Sequence, residues 1–390
     1  MRDNSKKITN SAQADTDFSG LPYILQERLR QASIVNLTPI QKRSFEAILS
    51  GRDLFAQSPT GTGKTLAFCL PLYCHAHKAV QQISRASKPA PKIVVIAPTR
   101  ELVQQISAVF KSLFLKDKVK IAELIGGESF DKQMRYMRFG VDIILGTPGR
   151  ICEFIRRDAI KLRNVRHLVL DEVDHLLEIG FEKELNYIHK NVSSRAQIMV
   201  FAATVNRKTK TLAHYFLRDP IKIDAEEKLP LWSLISHRVF NTVGKNKFSA
   251  LMEAFDTRKP ERGLIFCNKK SECFDLEGKM RQKGYRVAVI NGDLEQTQRQ
   301  IAMRHLKQKR VDFLIATNVA ARGIDIEQLP LVINYSLARS TKDFVHRVGR
   351  TGRAGKKGEA WNFVSSSELQ ELYEICHRVG IKKKNLEIVQ

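Results

Sequence analysis

Short, almost uninterrupted apolar runs alternate with helical stretches along most of this chain, and this alternation restricts the possible folds more than any other feature. Strands without a polar face are typical of parallel sheets, in which helices cover both faces. The sequence therefore predicts an α/β fold with a mainly parallel sheet. In the first half the predicted strands are 53–57, 92–97, 119–124, 142–145, 167–170 and 198–201.

The alternation breaks at AEEKLP, residues 225–230, and then restarts. A chain of 390 residues is too long for one ordinary core, so we predict two domains. The predicted strands of the second half are 264–267, 286–290, 312–316, 331–335 and 360–364. The predicted division is a disordered tail over 1–16, a first domain over 17–224, a linker over 225–231, a second domain over 232–375 and a basic tail over 376–390.

The chain is strongly basic, and the excess of positive charge is not confined to one segment. The net charge is +24, with +13 in residues 1–225 and +11 in residues 226–390. Such an excess over both domains favours a polyanionic partner, and nucleic acid is the first candidate. Charge alone does not distinguish RNA from DNA or from an acidic membrane.

Three further features of the composition bear on where the protein acts. No apolar run approaches the roughly 20 residues that cross a bilayer, and the N-terminus has no apolar core of a signal peptide. The six cysteines are scattered and form no CxxC pair. We therefore expect a cytoplasmic protein with reduced thiols and no membrane partner. A metal site at Cys74, His75 and His77 is not expected, because on a helix these side chains would point in different directions.

Polar segments follow the predicted strands, at the edge where ligands gather in open α/β sheets. One of them, SPTGTGKT at 58–65, lies between a strand and a helix, as phosphate-binding loops do. Lys64 would hold the β- and γ-phosphates of a nucleoside triphosphate, and the Thr65 hydroxyl would bind Mg²⁺. Ser58 occupies a position where the strict pattern has glycine.

An acidic segment, DEVD at 171–174, ends the predicted strand at 167–170. Together with the phosphate-binding loop it predicts a site of nucleotide hydrolysis. Asp171 would hold Mg²⁺ directly or through water, and Glu172 would orient and polarise the attacking water.

In this order and spacing the motifs resemble those of DEAD-box ATP-dependent RNA helicases of superfamily 2, over about residues 18–375. The resemblance implies two tandem RecA-like domains with a nucleotide cleft between them. It also implies RNA-stimulated ATP hydrolysis coupled to local unwinding or remodelling of short RNA duplexes or ribonucleoprotein. The implied cofactors are ATP and Mg²⁺, the implied partner is RNA held mainly by its backbone, and we expect a monomer.

The segment TPIQ at 38–41 resembles the adenine-reading Q motif of that family. There the Gln41 amide would both donate to and accept from the adenine edge, and Asp325 in the second domain would meet the ribose. The implied nucleotide-binding residues are Gln41, Ser58, Thr60, Gly61, Thr62, Gly63, Lys64, Thr65 and Asp325.

Several segments resemble the RNA-contacting segments of the family. Each offers a hydroxyl, a guanidinium or glycine N–H groups, which suit a phosphodiester backbone. The implied RNA-binding residues are Pro98, Thr99, Arg100, Gly126, Gly127, Thr147, Pro148, Gly149, Arg150, Thr317 and Arg322.

The segment HRVGRTGR at 346–353 resembles the family's arginine-finger motif, whose arginines stabilise charge on the transferring phosphoryl group. The resemblance thus implies the catalytic set Lys64, Asp171, Glu172, Arg350 and Arg353. It further implies that hydrolysis is coupled to strand separation through Asp174, Ala202, Thr204 and His346.

Two departures from the family pattern bear on function. Val173 replaces the usual alanine in a packed position. Ala202 replaces the usual serine, so a hydroxyl that helps to couple hydrolysis to strand separation is missing. An ATP-controlled RNA clamp therefore remains an alternative. A DNA-translocating helicase is a second alternative, against which the Q motif and the segment 147–150 argue.

Overall fold

The computed structural model describes residues 18, 21–32, 34, 36–59, 61–82, 90–115, 117, 119–224, 234–318, 329–352 and 357–389. The predicted N-terminal tail (1–16) and linker (225–231) lie outside these ranges. Within them, no helix is both long enough and apolar enough to cross a membrane.

The first domain is built on a sheet of seven strands in the order β3-β4-β2-β5-β6-β1-β7. Its strands are β1 (Leu54–Gln57), β2 (Ile93–Ile96), β3 (Ile121–Leu124), β4 (Ile143–Gly146), β5 (His167–Leu170), β6 (Gln197–Ala202) and β7 (Ile221–Asp224). Its helices are α1 (Tyr23–Gln31), α2 (Pro39–Leu49), α3 (Lys64–Gln82), α4 (Arg100–Leu113), α5 (Phe130–Met137), α6 (Pro148–Arg156), α7 (Val173–Ile179), α8 (Glu182–Asn191) and α9 (Arg207–Phe216).

The second domain is built on a separate sheet, also of seven strands. Its strands are β8 (Ile235–Asn241), β9 (Gly263–Cys267), β10 (Val287–Ile290), β11 (Phe313–Thr317), β12 (Leu331–Asn334), β13 (Gly358–Val364) and β14 (Leu386–Val389). Its described helices are α10 (Lys247–Arg258), α11 (Lys270–Gln282), α12 (Gln296–Lys307), α13 (Thr341–Val348), α14 (Ser366–Arg378) and a 3₁₀ turn at Lys383–Asn385.

Both sheets are parallel, and alternate side chains of a strand enter cores on opposite faces. In β2, Ile93 and Val95 belong to one buried cluster, while Val94 and Ile96 belong to the other. This arrangement explains why central strands such as β2 and β4 are apolar at every position, since both faces are covered by helices. The predicted fold class, with two parallel sheets and helices on both faces, is confirmed.

The second sheet repeats the strand order of the first. Its order is β10-β11-β9-β12-β13-β8-β14, which is the order of the first sheet with every strand number raised by seven. The two domains are therefore one architecture used twice. In both, the carboxyl ends of the central strands carry the loops in which ligands bind.

The predicted basic tail over 376–390 is corrected by the structure. Residues 376–378 continue α14, and β14 pairs in parallel with β8, with Leu386 opposite His237. The side chain of Leu386 is buried in the core beside Ile381. The second domain thus extends to residue 389, because β14 is needed to complete the sheet.

Candidate functional site

The loop after β1 is closed by hydrogen bonds among its own residues. Lys64, the first residue of α3, donates from Nζ to the Ser58 carbonyl oxygen at 2.8 Å. The Ser58 and Thr62 hydroxyls are 2.6 Å apart, and Thr62 also donates to the Pro59 carbonyl. Ser58 is fully buried, so the residue that departs from the glycine pattern closes the base of the loop. The predicted nucleotide ligand Thr60 lies outside the described residues.

Gln41, the predicted adenine reader, is joined to the same loop. Its Oε1 accepts from the Thr38 backbone N–H at 2.9 Å, and its Nε2 donates to the Gly63 carbonyl at 3.1 Å. Thr38 adds a bond from its hydroxyl to the Thr62 carbonyl. Gly63 has φ +91°, and a Cβ there would lie 2.2 Å from Gln41 Nε2. Only glycine fits at this contact, which holds the start of α2 against the phosphate-binding loop.

The two predicted acids stand side by side where β5 ends. Asp171 is 2% exposed. Burial and the neighbouring charge of Glu172 raise the pKa of Asp171 to about 7, against the opposing charge of Lys64. Burial also acts to raise the pKa of Glu172, but His175 and Lys64 outweigh it and the pKa is lowered. Glu172 has φ +48°, a left-handed conformation that is strained for a residue with a side chain and is typical of functional sites.

These residues fit a Mg²⁺ ion that is held chiefly by a bound nucleotide. A buried carboxylate with a raised pKa gains from a cation beside it. The described residues contain no group of three or more His, Cys, Asp or Glu side chains able to hold a metal. Mg²⁺ in nucleotide sites needs no such group, because it binds one or two protein oxygens, phosphate oxygens and water. Asp171 and the half-buried Thr65 are the oxygen ligands that the predicted site supplies.

Asp174 joins the acidic segment to the end of β6. Its carboxylate accepts from the Thr204 hydroxyl at 2.8 Å, the Thr204 N–H at 3.1 Å and the Ala203 N–H at 3.4 Å. Ala202 is fully buried and contributes no side-chain hydrogen bond. Thr204 and two backbone groups therefore provide the connection between α7 and the segment after β6.

Most of the RNA-binding residues predicted in the first domain, but not Gly127 or Pro148, line one hollow of about 640 Å³. The hollow lies at the carboxyl ends of β2, β3 and β4, and residues of the second domain between 292 and 299 also line it. From the predicted set it includes Pro98, Thr99, Arg100, Gly126, Thr147, Gly149 and Arg150.

Close packing of Arg100 against the glycine pair shapes this hollow. A Cβ on Gly127, which has φ +76°, would lie 2.0 Å from Arg100 Nη1. Arg150 donates from Nη2 to the Glu128 carbonyl at 2.9 Å and lies 3.2 Å from Glu153. Thr99 caps α4 by accepting from the Leu102 N–H at 3.2 Å. The loops are thus held together by side chains that the prediction assigned to RNA.

In the second domain, two arginines of the HRVGRTGR segment, Arg347 and Arg350, are buried. Arg347 is 1% exposed and donates to Asn268 Oδ1, Asn318 Oδ1 and the Ser336 carbonyl at 2.6–2.7 Å. It therefore holds together the ends of β9, β11 and β12. Arg350, in the turn after α13, is also buried. The predicted residues Arg353, Arg322 and Asp325 lie outside the described residues, and Thr317 ends β11 as a buried residue.

Two cations that the sequence did not single out cross from the second domain to the first. Lys342 Nζ, on α13, lies 3.2 Å from Asp174 Oδ2 and 2.6 Å from Glu178 Oε1. Arg299 Nη1, on α12, lies 3.0 Å from Glu101 Oε1. Burial acts to raise the pKa of Asp174, but the charge of Lys342 and the hydrogen bond from Thr204 outweigh it and the pKa is lowered. The second domain therefore lies against the acidic segment of the first.

Comparison with known proteins identifies the family. Residues 38–212 match the DEAD/DEAH box helicase model, and residues 246–355 match the model of the helicase conserved C-terminal domain. The chain is 34% identical to ATP-dependent RNA helicase RhlB of Haemophilus influenzae (strain PittGG) over 93% of this chain and 88% of that protein. The chain belongs to the DEAD-box helicase family. Its two sheets are accordingly those of tandem RecA-like domains.

Two further members of the family match nearly the whole chain. The DEAD-box ATP-dependent RNA helicase CshA of Bacillus subtilis is 35% identical over 92% of this chain and 71% of that protein. The structure of S. cerevisiae Dbp5 bound to RNA and ADP BeF3 superposes with a TM-score of 0.81 at 26% identity, covering 96% of this chain and 95% of that one. Because this superposition covers both domains, their mutual placement resembles that in an RNA-bound helicase.

Proposed function

We propose that this DEAD-box ATP-dependent RNA helicase hydrolyses ATP in the cleft between its two domains when bound RNA closes that cleft. The observation that carries the proposal is the contact of Lys342 with Asp174. It brings α13 of the second domain over the acidic segment that follows β5. A triphosphate at the phosphate-binding loop would then lie between Lys64 of one domain and the turn of Arg350 in the other.

In this proposal the nucleotide is bound by the loop, α2 and the second domain. Lys64, which now donates to the Ser58 carbonyl, would turn to the β- and γ-phosphates, and the N-terminus of α3 would add its dipole. Gln41 would read adenine with the donor and acceptor capacity left over from its bonds to Thr38 and Gly63. Asp325 would contact the ribose.

Hydrolysis depends on charges that the two domains contribute separately. Glu172 would orient the attacking water; its lowered pKa keeps the carboxylate ionised, as this role requires. Mg²⁺, held by Thr65, Asp171 and phosphate oxygens, would neutralise charge on the phosphates. Arg350 and Arg353 would stabilise the charge of the transferring phosphoryl group from the opposite side of the cleft.

RNA is proposed to bind in the hollow at the carboxyl ends of β2, β3 and β4. Its backbone would lie on the glycine pair and the helix N-termini, beside Arg100 and Arg150, and would meet Thr317 and Arg322 in the second domain. Contacts of this kind bind any sequence, since phosphates carry no base information. Closure over a bent strand would release one strand of a short duplex, and hydrolysis would reopen the cleft.

Ala202 favours a second candidate function, an ATP-controlled RNA clamp. The side chain at this position has no hydroxyl, so the connection to Asp174 rests on Thr204 and two backbone N–H groups. A clamp would bind RNA and hydrolyse ATP without freeing strands. We place the helicase first, because three hydrogen bonds to Asp174 are retained.

The test is ATP hydrolysis measured with RNA and with DNA of equal length and sequence, beside a duplex-release assay. A helicase acting on RNA gives strong stimulation by RNA alone, since the 2′-hydroxyl distinguishes the two polymers, and frees one strand of a short duplex. Equal stimulation by DNA would contradict the assignment to RNA. Stimulation without strand release would assign the protein to the clamp.

We further propose that the protein works as a monomer in the cytoplasm. The described ion pairs between the domains, Lys342 with Asp174 and Arg299 with Glu101, join two parts of the same chain, so one copy suffices to form the cleft. Sedimentation of the protein with ATP and RNA, and cell fractionation, test the two statements.

A further inference from the structure

Helix α5 uses one face to pack on the first domain. Phe130, Met134 and Met137 lie against the buried cluster that contains Phe154. Gln133, on the same side, is buried and donates to the Ile125 carbonyl at 2.8 Å. The positions 130, 133, 134 and 137 follow helical spacing, so the opposite face of α5 is free of packing.

That opposite face carries aromatic rings interleaved with cations. Tyr136 is 64% exposed, and Phe139, in the turn after α5, is 71% exposed. Neither ring packs on another aromatic ring of the described residues. The exposed cations beside them are Lys132, Arg135 and Arg138, against a single acid in α5, Asp131.

These three cations form no salt bridge with any residue that the structure describes. A chain that needed them only for solubility would not require large rings among them. Leaving two large rings in water loses the free energy of burial, about 25 cal/mol for each Å² of apolar surface. Exposed rings among free cations are the combination that binds single-stranded nucleic acid, in which bases stack and phosphates pair with charge.

The start of α5 lies beside the hollow in which RNA is proposed to bind. α5 begins three residues after Gly127, and Ser129 caps it. Arg150, which lines the hollow, donates to the Glu128 carbonyl in the same connection. β3, which α5 follows, is the edge strand of the sheet. An RNA strand that leaves the hollow past the glycine pair would therefore meet the start of α5.

We propose that Lys132, Arg135, Tyr136, Arg138 and Phe139 form a second RNA-contact surface, which binds the single-stranded segment leaving the hollow. We call these five residues the α5 surface. The inference rests on the proposed function, because the α5 surface would extend the RNA-binding site of the hollow. The rings stack on bases of any identity and the cations pair with phosphates. RNA is favoured over a protein partner because the three cations form no salt bridge with a described residue and because α5 begins beside the glycine pair that borders the hollow.

The experiment measures binding of two oligouridines in the presence of a non-hydrolysable ATP analogue. One is just long enough to fill the hollow, and the other is twice as long. In the intact protein the longer RNA binds more tightly. The double variant Tyr136→Ala/Phe139→Ala should lose about tenfold of affinity for the longer RNA, since stacking of one base contributes about that much. Its affinity for the short RNA should stay parental.

Matched variants separate the α5 surface from general effects of charge and ring removal. Lys208→Ala/Tyr215→Ala removes an exposed cation and a ring, 64% exposed, seven residues apart on α9. It should bind both RNAs as the parent does, whereas Lys132→Ala/Phe139→Ala, with the same spacing on α5 and the turn after it, should lose affinity for the longer RNA only. Tyr136→Phe should keep parental binding, because the ring is retained.

The outcomes distinguish this inference from the proposed function. If the parent binds both oligouridines and the α5 variants bind the longer one equally well, the α5 surface does not bind RNA. The proposed binding of RNA in the hollow is then unaffected, and the exposed rings would be assigned to a protein partner. If the variants lose affinity for short and long RNA alike, the effect lies in the hollow and the extension is again wrong. If the parent binds neither RNA, the proposed function fails and the inference falls with it.

Discussion

Lys342 of the second domain lies between two acids of the first, with Nζ 3.2 Å from Asp174 Oδ2 and 2.6 Å from Glu178 Oε1. Asp174 is almost fully buried, and Lys342 is 17% exposed at its side chain. The contact is therefore shielded from water and salt, unlike most surface ion pairs. The contact forms only when the two domains meet. Its acid Asp174 also accepts a hydrogen bond from Thr204.

We expect Lys342→Ala to weaken closure of the cleft, because it leaves two acids facing each other without a cation. RNA-stimulated turnover should fall by about tenfold or more, as breaking a buried pair is costly. ATP affinity in the absence of RNA should stay parental. Fluorescence energy transfer between labels on the two domains, with ATP analogue and RNA, measures closure directly. Glu178→Gln is the matched control and should lose less, since the bond to Asp174 remains. Parental closure and turnover in Lys342→Ala would contradict the role.

Arg350→Ala should spare ATP binding and remove hydrolysis. An arginine finger supplies about a thousandfold or more in rate, whereas the loop that binds the phosphates belongs to the other domain. Lys64→Ala should lose nucleotide turnover and phosphate binding together. Binding of a fluorescent ATP analogue beside single-turnover hydrolysis separates the two effects. Hydrolysis at the parental rate by Arg350→Ala would refute the finger assignment.

Gly63→Ala should abolish ATP binding while the protein stays folded. A Cβ at this position would lie 2.2 Å from Gln41 Nε2, and the backbone has φ +91°. Gly51→Ala is the control, since its φ of +79° gives similar backbone strain but nothing lies within 4 Å of the added atom. Gly51→Ala should lose only about 1 kcal/mol of stability. Thermal unfolding and ATP titration of both variants are compared, and parental ATP affinity in Gly63→Ala would show that the loop does not depend on this contact.

The stability of the second domain should fall as pH drops from about 6.5 to 4. His237 is 2% exposed, neither ring nitrogen has a hydrogen-bond partner among the described residues, and burial lowers its pKa to about 4. The unfolded chain binds a proton in this window and the folded one does not, so up to about 3 kcal/mol of stability is lost.

His237→Leu should flatten that dependence and raise stability at pH 5. His377→Gln, at an exposed histidine of α14, is the control for removal of a histidine from the second domain. Urea unfolding followed across pH 4–7 gives the measurement. An unchanged slope in His237→Leu would assign the pH dependence to other groups.

Most strands were predictable because burial on both faces makes them apolar at every position. The exceptions have identifiable causes. β8 carries His237 and Arg238, and Arg238 bonds to Glu359 and Glu387 on the neighbouring strands, so no continuous apolar run marks it. β7 and β14 lie at the edges of their sheets and carry exposed polar residues such as Lys222 and Glu387. The other edge strands, β3 and β10, were predicted because their runs are more apolar.

The loops of the site were predictable because each consists of one continuous sequence motif. Lys342 and Arg299 were not, because their partners lie in the other domain and depend on how the two domains meet. No local spacing encodes that placement. Gln41 was assigned to adenine alone, and its bonds to Thr38 and Gly63 could not be inferred, since they require the approach of α2 to the loop.

β14 has a practical consequence for anyone who shortens this protein. A fragment cut before residue 386 would remove the strand that pairs with the outer edge of β8 and leave the amide and carbonyl groups of that edge without partners. Such an edge recruits strands from other molecules, so clumping of the shortened protein would reflect an unfinished sheet and carry no information about RNA.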